Sequence, residues 1–91
     1  MPESASGQLS AAVIEQRLSE FLVERTKAEW ELGQDLFASG LVSSLFAMEL
    51  VVFVEKAFDV VVERDDLALD NFRTTGAMTD LVLRLRKAAD A

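Results

Sequence analysis

Residues 43–58 run for sixteen positions without glycine or proline, and this stretch constrains the fold of the 91-residue chain most. Its centre, Leu50-Val51-Val52-Phe53-Val54, is β-branched enough to pass for a buried strand. Length argues against that, because an unbroken segment of this span is more naturally a helix. On a wheel at about 100° per residue, Leu50, Val54 and Phe58 share one side with Ala47 and Val51, enough for a core stripe. Leu45, Met48 and Val52 fall on the other side, among Glu49, Glu55 and Lys56. That second stripe cannot easily share the same core. Either the helix is central and buried all round, or the strip is exposed for a transient partner, with Met packing adaptably and Glu orienting the contact.

The flanking chain reads as helical too. Ser10 is placed to cap a helix in which Val13, Ile14, Leu18, Phe21 and Leu22 recur at helical spacing, ending near Arg25. Residues 26–42 carry Gly33 and Gly40, yet Trp30, Leu32, Leu36 and Phe37 are too apolar for a solvated linker. A long loop pinned by Leu36 and Phe37 is expected. Residues 59–63 read as an extended connection, and residues 66–70 as a short helical turn. Thr74 or Thr75 can cap a last helix that turns Ala77, Met78, Leu81, Val82 and Leu85 inward. Arg84, Arg86 and Lys87 near its end complement the helix dipole. Residues 1–8 read as a flexible tail, 9–88 as one domain and 89–91 as a short C-terminal tail. The reading is all-α: three main helices, a minor one and no internal repeat.

Composition removes whole classes of function. Nine Lys+Arg against sixteen Asp+Glu leave a net charge of −7, which repels phosphate backbones and argues against nucleic acid. There is no Cys and no His, so disulfides, thiolate nucleophiles, imidazole bases and nearly all zinc chemistry fall away. The apolar runs are far too short for a membrane span, and no export signal opens the chain, so a cytoplasmic protein is expected. Residues 1–72 carry a net −9 and residues 73–91 a net +2. An acidic body repels its own copies, in keeping with a monomer, and draws basic patches on other proteins.

Gly40-Leu41-Val42-Ser43-Ser44 places two hydroxyls where a loop meets a helix N-terminus. Unpaired amides and the dipole favour an anion there, so a phosphate on one of these serines would sit well. Both serines can also simply cap. A serine hydrolase fails on its own terms, because no His supplies a base, no motif links Lys27, Lys56 or Lys87 to Ser44, and the flanks do not form a G-x-S-x-G elbow.

The order and spacing of these residues resemble the acyl carrier protein family, including the peptidyl carriers. The resemblance runs through Asp35-Leu36-Phe37-Ala38-Ser39-Gly40-Leu41-Val42-Ser43-Ser44-Leu45, then Glu49-Leu50-Val51, Glu55, Phe58, Asp66-Leu67 and Asn71-Phe72-Arg73-Thr74, covering roughly residues 10–87. It implies a four-helix bundle of the acyl carrier type, with a long first loop and one short helix. It also implies 4'-phosphopantetheine, delivered from coenzyme A by a phosphopantetheinyl transferase onto Ser44, with Ser43 as helix cap. Ser43 departs from the family's usual Asp and so brings no negative charge to the helix start. Lys56 likewise stands where many relatives have an acid.

The protein expected on this resemblance is a discrete, non-catalytic carrier of acyl or aminoacyl thioesters, leaning towards polyketide or nonribosomal peptide biosynthesis. A loading enzyme and downstream synthase or modifying enzymes would be its partners. Leu41, Val42, Leu45, Met48, Glu49, Val52 and Glu55 would form the partner face. The competing reading is a helical interaction domain of the same fold with Ser44 unmodified.

Overall fold

A computed structural model describes residues 10–40 and 42–90, without the side chains of the last two. The tail expected at 1–8, and Leu41, lie outside the described residues. Three α-helices, α1 (Ala11–Thr26), α2 (Ser44–Phe58) and α3 (Thr75–Asp90), are joined by a long loop and by two 3₁₀ turns at Arg64–Asp66 and Leu69–Phe72. No strand occurs among the described residues. The β-branched centre of α2 is therefore helical, tertiary packing having overridden its intrinsic strand preference.

Each helix begins where a hydroxyl can satisfy an orphan amide. Ser10 Oγ accepts from Val13 N–H at 3.2 Å, and Thr74 Oγ1 accepts from Ala77 N–H at 2.9 Å. Thr74 is thus the cap of α3, and Thr75, its first residue, is buried. α1 and α2 end on left-handed residues, Lys27 at φ 61° and Asp59 at φ 55°, whose N–H groups bond back to Val23 and Glu55 carbonyls. α3 runs to Asp90, past the boundary expected at residue 88.

The core lies between the three inward stripes. Ile14, Leu18 and Leu22 of α1 are fully buried, as are Leu50 and Val54 of α2 and Met78, Leu81 and Val82 of α3. Phe58 joins them at 1% exposure and meets Phe53 edge-on at 6.0 Å between centroids. Burying a side chain of this kind contributes about 1.5–3 kcal/mol relative to exposure.

The long loop is pinned by more than its apolar residues. Leu36 is buried and Phe37 packs against the core, as expected, and Val42 is buried beside them. Polar ties complete the anchoring: Leu36 N–H donates to the Arg73 carbonyl at 2.8 Å, and Gly76 N–H to the Leu32 carbonyl at 2.9 Å. A Cβ at position 76 would meet that Leu32 oxygen at 3.2 Å, a tight contact that would require the loop backbone to give by a few tenths of an ångström. Asp35 accepts from the N–H groups of Phe37 and Ala38 and, through its second oxygen, from Arg73 at 3.1 Å.

The short helix expected at residues 66–70 is replaced by the two 3₁₀ turns on either side of that centre. A segment this short forms few helical hydrogen bonds for the dihedrals it fixes. Phe72 instead plugs the core and Asn71 Nδ2 donates to the Asp66 carbonyl at 2.9 Å, bridging the turns.

Candidate functional site

The site begins where Val42 enters the core. With Val42 and Leu36 buried and Gly40 at φ 83° turning the chain, the loop delivers Ser43 at a set position and α2 starts there. Ser43, extended at φ −96° and ψ 172°, accepts from Phe46 N–H at 3.2 Å through its side chain. Its carbonyl accepts from Ala47 N–H at 2.9 Å. Ser43 therefore does the capping. Ser44, the first residue of the helix, keeps an exposed hydroxyl that no hydrogen bond engages among the described residues. No acidic residue occupies the first turn, so the positive end of the dipole is not neutralised by the helix itself.

Two apolar surfaces lie near this hydroxyl. A cleft of about 340 Å³ opens beside it, walled by Ala47, Met48 and Val51 of α2 and by Leu67, Leu69 and Phe72 of the 3₁₀ region. A groove of about 600 Å³, which begins at Leu45 and is not lined by Ser44 itself, runs between α1 and α2. Leu45, Met48 and Val52 are 76%, 59% and 48% exposed, so the second stripe of α2 is a surface and the all-round burial alternative does not hold.

The structure separates the residues expected on the partner face. Leu45, Met48, Glu49 and Val52 lie together along α2, whereas Leu41 is outside the described residues. Val42 is a correction: at 3% exposure it anchors the loop to the core and offers no contact surface. An apolar side chain in a loop gains by leaving water, and Val42 does so by joining the core cluster that holds Leu36 and Leu50. Glu55 is only half-exposed, and its Oε2 accepts from Val62 N–H at 2.9 Å, securing the chain that leaves α2.

Residues that were not expected on the partner face complete the site. Arg25 of α1 crosses to pair with Glu49, its guanidinium carbon 5.2 Å from the Phe21 ring centroid and 5.9 Å from that of Phe46. Phe21 stacks on Phe53 at 4.2 Å and lies parallel to Phe46 at 5.9 Å, closing the seam between α1 and α2. The i,i+4 spacing of Phe21 and Arg25 was visible, but only the crossing of the helices says what they meet. Leu67 and Leu69, each 48% exposed, were likewise hidden in a segment without periodicity.

Among the described residues no cluster of acids is arranged to hold a metal ion. Nor is any helix among them long and apolar enough to cross a membrane. A helical bundle that presents a free serine at the start of its second helix, with an exposed apolar stripe running on from it, has the architecture of a carrier protein.

Comparison with curated proteins supports that class. The chain is 32% identical to a D-alanyl carrier protein of Streptococcus sanguinis over 57 residues, 63% of this chain and 72% of the relative. The D-alanyl carrier proteins of Streptococcus mutans and Streptococcus thermophilus match over the same extents, at 30% and 32% identity. No protein-family model matches the chain. The protein belongs to the acyl and peptidyl carrier protein family. As such it is not an enzyme; it holds groups on which enzymes act.

Proposed function

We propose that the protein carries its cargo as a thioester on a 4'-phosphopantetheine arm attached through Ser44. The observation that carries this reading is the division of labour at the start of α2, where Ser43 caps and Ser44 is left free. In the attachment, Ser44 Oγ attacks the phosphorus of coenzyme A that bears pantetheine. A phosphodiester forms, the bond to the bridging oxygen breaks and adenosine 3',5'-bisphosphate leaves with the electron pair, while the serine proton passes to a base of the transferase. The amides of the first turn and the unneutralised dipole favour the resulting phosphate. Once attached, the arm supplies the thiol that a Cys-free chain lacks. The Ala47–Met48–Val51 wall beside Ser44 gives its apolar part a surface to lie against.

Leu45, Met48 and Val52 form the proposed contact with visiting enzymes. Such docking is weak and fast, so that the transferase, a loading enzyme and later enzymes exchange in turn. The names of the relatives favour an aminoacyl cargo and put D-alanine first, ahead of the polyketide and nonribosomal peptide intermediates towards which the resemblance leaned.

Intact-protein mass after incubation with coenzyme A and a broad-specificity transferase tests the attachment. A gain of one phosphopantetheine is expected in wild type and Ser43→Ala and not in Ser44→Ala. No gain in wild type with several transferases would make an unmodified interaction domain the better reading. For cargo, the holo protein is incubated with ATP, D-alanine and a D-alanine-activating ligase. An alanyl adduct released by hydroxylamine is expected; loading by acyl or other aminoacyl donors alone would overturn the D-alanine assignment.

A further inference from the structure

The groove between α1 and α2 has a charge pattern opposite to that of the molecule. Its apolar floor is Phe21, Leu45, Met48, Val52, Phe53 and Ala57, and its charged lining is Arg25, Glu49 and Lys56, two cations to one anion. The whole chain, by contrast, carries −7. Glu49 is already paired with Arg25, which also lies over two aromatic rings. Lys56 makes no ion pair among the described residues. The unmet charge in the groove is therefore positive.

We infer that this groove docks a helix of a partner enzyme whose apolar ridge is flanked by carboxylates, with Lys56 and Arg25 setting the specificity. The identity of the partner as an enzyme visiting a carrier rests on the function proposed above; the preference of the groove for an acidic helix does not. Leu45, Glu49, Val52 and Lys56 follow one ridge of α2, with an axial rise of about 16 Å from first to last. A partner helix of about three turns laid along it meets apolar surface near Ser44 and the lysine at the far end. A carboxylate there pairs with Lys56 and leaves the Arg25–Glu49 pair intact. A cation there faces Lys56 and must displace Arg25 from Glu49 and from the rings, which selects against it. Long-range attraction draws partners with basic surroundings, while the contact itself admits an acid-bearing helix.

Two synthetic helical peptides with the same Leu/Ala ridge, one flanked by Glu and one by Lys, test this against the full chain carrying Ser44→Ala. Binding is followed by backbone amide chemical shifts at about 0.15 M salt, where attraction beyond about 8 Å is screened and the contact decides the preference. The Glu peptide is expected to bind about fivefold tighter than the Lys peptide, as one exposed ion pair gained in place of one repulsion allows. Its shifts should concentrate at Phe21, Arg25 and the α2 residues from Leu45 to Ala57. In Lys56→Glu the preference should reverse. Equal affinities, tighter binding of the Lys peptide to Lys56, shifts lying elsewhere or no binding by either peptide would each overturn the inference. Because Ser44 is absent from this assay, failure of phosphopantetheinylation and failure of the groove preference are read separately.

Discussion

Single side chains hold the loop that presents Ser44. The Asp35 carboxyl lies below its ordinary value of 3.8, chiefly because Ala38 N–H donates to the carboxylate, with Arg73 and Phe37 N–H adding to this against a partial desolvation. A carboxylate with a lowered folded pKa stabilises the fold above its unfolded value, and that contribution is lost as pH falls through the folded one. Asp35→Asn, which keeps an acceptor oxygen but loses the charge, should therefore be less stable than wild type at neutral pH. The two denaturation curves should converge in acid below pH 3.8; a constant gap would show that the charge is irrelevant. Thr75 presents a different case. Its buried Oγ1 has no hydrogen-bond partner among the described residues, so Thr75→Val should raise stability by about 1 kcal/mol in a urea titration, removing an unmet hydroxyl at nearly constant shape. Removal of the α2 cap by Ser43→Ala should cost about 1 kcal/mol in the same titration, separating its structural role from the chemical role proposed for Ser44.

At the scale of elements, α2 serves two surfaces, and substitutions on each should behave differently. Phe58 is 1% exposed, so Phe58→Ala should destabilise by about 3–5 kcal/mol, read as a large fall in the thermal midpoint. Met48 is 59% exposed, and Met48→Glu should keep the helical circular dichroism while slowing the loading of holo protein. A collapse of the helical signal would instead place Met48 in the core. Both stripes were readable because residues three and four apart share a helix face, whatever lies opposite. The 3₁₀ region was less readable. There, Phe72 and the Asn71–Asp66 bridge decide the path, and neither leaves a periodic trace.

Across the whole molecule, charge separates approach from contact. Net charge acts over the Debye length, which is about 8 Å at physiological ionic strength, so added salt should slow loading of the holo protein mainly through encounter. A loading rate constant insensitive to salt would remove steering from the account. The Arg25–Glu49 pair has half-exposed side chains and is worth about 0–1 kcal/mol to the fold. Its larger consequence is to occupy an acid that periodicity had assigned to partners.

The helices, the hydroxyls able to cap them, and the division of α2 into a Leu50–Val54–Phe58 stripe and a Leu45–Met48–Val52 stripe were legible in the sequence alone. Each depends on spacings of a few residues along one helix, and such spacings survive in any tertiary setting. Only the tertiary structure turned Val42 into an anchor, tied Glu55 to Val62 and laid Arg25 across to Glu49. It alone fastened the loop through Asp35 to Arg73, 38 residues away. Such partners meet because helices and loops pack together, and no local pattern encodes which distant side chain will lie opposite.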